Sequence, residues 1–196
     1  MPTATPGWLF PFSVFSFLAA ALLYLPFAVF FRYATVSIRQ SGPPILLAFT
    51  ASFLLAAVNE ASWRGWFFKR VQKTRLPAGV PVMLTALLGS LPPLAFRLEF
   101  FPVPRVSPSA VTGHAFLVEA FLSLGLTWLA LGTGTFRPGA VALGILWSFR
   151  FGLEPRFHGG VFPVMELWAA IFAALAVCIV LHKPLSPYRE ELFGGE

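Results

Sequence analysis

Apolar residues fall into six runs, at about 8–31, 45–68, 80–96, 113–131, 140–153 and 161–181, and the stretches between them hold most of the charges. Runs of this length predict helices, because strands seldom exceed about ten residues. About 20 apolar residues at ~1.5 Å each cross a hydrocarbon core of ~30 Å. The pattern therefore predicts an all-α, polytopic transmembrane helix bundle of about six spans, forming a single integral membrane domain over 1–196 with a polar tail at 183–196. The second run, about 24 residues, makes a helix of ~36 Å, longer than a bilayer core, and must tilt or project. Breakers punctuate the rest. Pro26 predicts a kink, Ser41-Gly42-Pro43-Pro44 a break, and Pro92-Pro93 an interruption of the third run. Gly132-Thr133-Gly134-Thr135 and Arg137-Pro138-Gly139 separate the fourth run from the fifth, and 154–160 reads as a polar turn.

Composition strengthens this picture. The chain is 57% hydrophobic and 11% charged, where soluble domains carry about 25% charged residues. The net charge of +6 would suggest nucleic acid in a soluble protein, but here the basic residues gather in loops and at run ends, which reads as topology. No nucleic-acid partner is expected. Lys69, Arg70, Lys73, Arg75, Arg137, Lys183 and Arg189 outweigh Arg32, Arg39, Arg105 and Arg156 on the opposite side, which predicts a multi-pass cell-membrane protein with cytoplasmic N- and C-termini. The first run lacks a charged start and a cleavage site and reads as a retained anchor. Asp is absent, and the single Cys178 excludes an internal disulfide and a thiolate zinc site.

One stretch is costly to bury. In Val58-Asn59-Glu60-Ala61-Ser62-Trp63-Arg64-Gly65-Trp66, an acid and a base interrupt the second run. Four residues apart on a helix, Glu60 and Arg64 share a face and reach each other. An ionisable pair at this depth is either a salt bridge that ties helices together or part of a functional cavity. Glu119 in the fourth run and Arg150 in the fifth admit the same two readings. His114, His158 and His182 are far apart in topology and read as interfacial histidines; the spacing of His114 and Glu119 puts them on different helix faces.

Asn59-Glu60-Ala61-Ser62-Trp63-Arg64-Gly65-Trp66 resembles the first motif of the intramembrane metalloproteases related to the type II CAAX prenyl protease (Rce1-like) and to the bacteriocin-processing proteins (the CPBP family), which is Glu-Glu, three residues, Arg, Gly and an aromatic. The second Glu, Arg, Gly and aromatic agree; the first Glu is Asn59. The resemblance implies that residues 45–153 follow the family's order of elements. It implies a divalent metal such as zinc held by His from separate helices, a Glu base and an Asn at the oxyanion. Carried over, the second motif falls on Pro93 and Arg97, and the third, after Arg137-Pro138-Gly139-Ala140, on Ser148 and Gly152. The family's positions are thus degenerate at Asn59, Arg97, Ser148 and Gly152, while Glu60 and Arg64 are retained. No metal and no cofactor are expected. With the metal gone, Arg97 is expected to bring its positive charge to Glu60.

The resulting expectation is a CAAX-protease-like pseudoenzyme in the membrane that binds a partner helix or a lipid-linked peptide in the former active-site cavity, with membrane lipid around it. Two other classes stay open. An active intramembrane metalloendopeptidase would use Glu60 as its base, and a small transporter or channel subunit would use Glu60, Arg64, Glu119 and Arg150 as a polar path.

Overall fold

The computed structural model describes residues 8–30, 34–38, 45–74, 76–77, 79–100, 108–157 and 162–181. Each apolar run is helical among the described residues, and Pro26, Pro92-Pro93 and Gly134 lie within one turn of breaks between helices, while Ser41-Gly42-Pro43-Pro44 lies outside the described residues. The first run gives α1 (Leu9–Leu22) and α2 (Tyr24–Phe30). They part at Leu23, three residues before Pro26, whose ring and missing N–H act against the carbonyl four residues back. The second run forms α3 (Ile45–Glu60), continues as a π-helical segment (Ala61–Phe67), and ends as the single turn α4 (Phe68–Val71).

The third run splits into α5 (Gly79–Gly89) and α6 (Leu91–Phe100). The break falls at Ser90, not at the prolines themselves. Pro92 and Pro93 instead occupy the first turn of α6, where a missing N–H costs nothing, and Ser90 Oγ donates to the Leu87 carbonyl at 2.6 Å. Helix α7 (Pro108–Thr133) is the longest, followed by α8 (Arg137–Gly152) and α9 (Phe162–Val180). Gly134 ends α7 in the left-handed region at φ 69°, a conformation that glycine adopts without a Cβ penalty. Thr133 Oγ1 closes the last turn by donating to the Leu129 carbonyl at 2.5 Å.

Two segments read as loop and turn are strands instead. β1 (Ala34–Ile38) pairs antiparallel with β2 (Leu153–Phe157), from Ala34 opposite Phe157 to Ile38 opposite Leu153. The ribbon is a small addition to an otherwise helical chain. Its pairing spans more than a hundred residues of sequence, so no local turn signals it, and Pro155 is tolerated because both strands are edges.

Helix α7 is the axis of the molecule, packed by α9, α5, α8, α6 and α1, while α3 lies mainly along α8. The core joins Phe17 of α1, Leu122, Leu126 and Leu129 of α7, Leu146 and Trp147 of α8, and Ala173 and Val177 of α9. Contacts fix the helix directions. His114 meets Glu166 and Gly125 meets Ala174, in the same order along both helices, so α7 and α9 run parallel. Glu60 meets Gly139 while Phe53 meets Gly144, so α3 and α8 run antiparallel.

Among the described residues one helix, Thr112–Thr133, is long and apolar enough to cross a membrane, with a mean hydropathy of 1.7 and 61% of its apolar window buried inside the protein. Leu9–Leu22, Gly79–Ala95 and Met165–Val180 are apolar but shorter.

Candidate functional site

Glu60 ends α3 and Arg64 sits in the π-helical segment that continues it. Both side chains are fully buried. Arg64 Nη1 donates to Glu60 Oε1, and Asn59 Nδ2 reaches the same oxygen at 3.4 Å. The π segment is marked by the Phe68 N–H bonding back to the Trp63 carbonyl five residues earlier, a widened turn that occurs mostly as local insertions and often at functional sites. Gly65 stands where a Cβ would meet the Phe136 ring at 3.1 Å. Trp63 and Phe67 pack edge to face with centroids 5.3 Å apart on the same segment.

The rest of the guanidinium is met by α7. Arg64 Nη2 donates to Ser123 Oγ and, at 3.0 Å, to the Ser123 carbonyl, and Nε lies 3.4 Å from Thr127 Oγ1. Thr127 Oγ1 donates at 2.8 Å to that same carbonyl. A cation removed from solvent needs both a counter-charge and filled donors, and here every guanidinium nitrogen has an acceptor. Glycines make room for the pair. A Cβ on Gly89 of α5 would meet Ser123 Oγ at 3.2 Å and Arg64 Nη2 at 3.3 Å, and one on Gly139 of α8 would stand 2.5 Å from Glu60 Oε2. The pair therefore links α3, α5, α7 and α8.

Glu60 Oε2 is buried without a hydrogen-bond partner. It rests against Gly139, in the first turn of α8, where the partial positive charge of the helix N-terminus favours a carboxylate. Thr85 Oγ1, one turn before Gly89 on α5, is also buried without a hydrogen-bond partner.

Ser148 and Gly152 do not gather here. Ser148 and Gly152 lie on α8, but nine or more residues beyond Gly139, which is about 13 Å along a helix axis. Ser148 Oγ is moreover turned to its own helix, donating to the Gly144 carbonyl at 2.7 Å. Arg97 lies on α6; its side chain, and those of Arg150, His158 and His182, lie outside the described residues, as does the expected approach of Arg97 to Glu60. A guanidinium and a hydroxyl donating to its own backbone offer no nitrogen ligand, and a glycine offers no amide donor to an oxyanion, so Arg97, Ser148 and Gly152 do not fit the metal chemistry that the resemblance implies. Among the described residues no three of His, Cys and Glu converge on a metal-sized site.

Glu119 is buried in α7. His114 and Glu166 approach to 3.6 Å between Nε2 and Oε2, joining α7 to α9. The sequence reads His114 as an interfacial histidine and carries no signal that Glu166 meets it. Ser123, Thr127 and Gly89 belong to no chemical motif in the sequence, whereas Gly139 is one of the small residues expected to let helices approach closely. A weak signal for these existed, in small and hydroxyl residues at helical spacing along α5 and α7, but such residues are common wherever helices pack closely. Compared with protein-family models, curated proteins and solved structures, the chain matches none of them.

Proposed function

We propose that this chain is a multi-pass, CAAX-protease-like membrane protein without peptidase activity, which receives a partner helix or a lipid-linked peptide beside the Glu60 and Arg64 hub. One observation carries the loss of chemistry. Arg64 is bound by Glu60 and by α7, while Asn59 stands in the place of the base, Ser148 in that of a His ligand and Gly152 in that of the oxyanion Asn.

The membrane part of this reading is supported by α9. Its inner face is Ala169, Ala170, Ala173, Ala174 and Val177, and its outer face is Trp168, Phe172, Leu175 and Ile179, the last 73% exposed. A helix in water buries its largest apolar side chains. Small residues inward and bulky ones outward are what a lipid-facing helix carries. The parallel course of α7 and α9 and the antiparallel course of α3 and α8 fit the fourth, sixth, second and fifth of six alternating spans.

A second reading draws on one feature. A buried Glu60 Oε2 with no hydrogen-bond partner is free to take a proton, as the base of an active metallopeptidase must be. Elemental analysis of the detergent-purified chain, with and without zinc loading, separates the two. The expected result is substoichiometric zinc and no cleavage of prenylated or leader-type peptides. One equivalent of zinc that disappears in Glu60→Gln would overturn the proposal in favour of the enzyme.

A further inference from the structure

The densest charge in the chain lies outside the buried hub. Lys69, Arg70, Lys73 and Arg75 fall within seven residues, and no acid occurs between Glu60 and Glu99. Lys69, Arg70 and Lys73 are exposed on and just beyond α4. Among the described residues none of the three makes an ion pair. A solvated run of like charge with no carboxylate to offset it repels itself, and an external anion relieves that repulsion.

An aromatic anchor stands beside the charges. Trp66, 61% exposed, points outward from the π segment, and the Arg70 guanidinium lies 5.4 Å from the centre of its ring. The neighbouring surface is apolar on both sides. Val58 lies one way along α3, and Leu76, Val80 and Met83 lie the other way towards and along α5, all exposed. Charge, amphipathic ring and exposed aliphatic side chains thus follow each other within one helix end and one turn. Trp seeks the level of lipid headgroups, basic residues seek their phosphates, and the aliphatic residues seek the acyl chains below.

From this sequence of surfaces we infer that Trp66, Lys69, Arg70 and Lys73 form a binding site for the headgroups of anionic phospholipids. The inference rests on the membrane reading above and adds the headgroup class and the residues that select it. The site lies on the side that the basic-residue bias assigns to the cytoplasm, where anionic lipids make the leaflet negative. It also lies at the end of the segment that carries Arg64, so a bound headgroup holds the outer end of the element that positions the buried pair.

The test uses the full chain in neutral detergent micelles, titrated with short-chain phosphatidylglycerol, phosphatidylcholine or inorganic phosphate and read by native mass spectrometry. Phosphatidylglycerol adducts should form in preference to phosphatidylcholine and fall as salt is raised. Lys69→Gln/Arg70→Gln/Lys73→Gln should weaken them by about tenfold or more, since each basic residue near the surface contributes several-fold. Lys69→Arg/Lys73→Arg should keep them, which guards against loss of binding through misfolding. Arg137→Gln/Lys183→Gln/Arg189→Gln removes the same number of charges elsewhere and should leave binding unchanged. Equal adducts with phosphatidylcholine, equal loss in this control triple, or inorganic phosphate competing as well as the lipid would each overturn the site. A chain that stays soluble and folded without detergent would instead overturn the membrane reading beneath it.

Discussion

At the scale of single residues, the molecule turns on how a glutamate and an arginine are kept in an apolar interior. Arg64 is held by Glu60, Ser123 and Thr127, and Glu60 by Arg64, by Asn59 and by the start of α8. Removing one member of a buried pair leaves the other uncompensated, at a typical cost of about 3–5 kcal/mol, whereas replacing both with apolar groups of similar size can be nearly neutral. Glu60→Gln and Arg64→Met should each lower the unfolding midpoint in detergent, and the double variant should lose much less than their sum. Strict additivity in that cycle would mean that the contact carries no coupling energy. Gly139 supplies a second test. With a Cβ forced to 2.5 Å from Glu60 Oε2, Gly139→Ala should destabilise by about 1–3 kcal/mol through overpacking, even though alanine is the better helix former. In a Glu60→Ala background the same change should become neutral or favourable.

Among the elements, α9 makes the most direct statement about surroundings. On the proposed membrane reading, its fully buried Ala173 and its half-exposed neighbour Phe172 follow rules opposite to those of a water-soluble helix. Ala173→Leu should cost about 1–3 kcal/mol by overpacking against α7 and α1, while Phe172→Ala should change the midpoint in detergent by less than about 0.5 kcal/mol, as for a residue away from packed contacts. A large loss for Phe172→Ala would show that the outer face is covered by protein. The breaks between elements were readable in advance, because proline and glycine act on the backbone within one turn of themselves. Pro26, Pro92-Pro93 and Gly134 all do so here. The ribbon was not readable. Its strands lie more than a hundred residues apart, and each is too short to declare itself without the other.

For the whole molecule, the proposed membrane reading makes a prediction about orientation. The excess of basic residues around 69–75 predicts that this turn faces the cytoplasm. Single cysteines at Thr74 and at Ser107, in a Cys178→Ser background, should be labelled from opposite sides of sealed vesicles, with Thr74 reached only from the cytoplasmic side. Labelling of Thr74 from outside would invert the orientation. The amino-acid sequence by itself determined the helical runs, most of their ends, and the Glu60 and Arg64 pairing, because all three depend on residues within about one turn of each other. Only the tertiary structure decided the rest. Ser123 and Thr127 reach Arg64 across 59 and 63 residues of chain, Gly139 receives Glu60, Glu166 meets His114, and Ser148 is carried away from the hub. Periodicity reports which face of a helix is polar. It does not report which helix that face meets, because that choice is made by packing among several apolar surfaces of similar character, and the direction and register of that packing appear only once the helices are assembled.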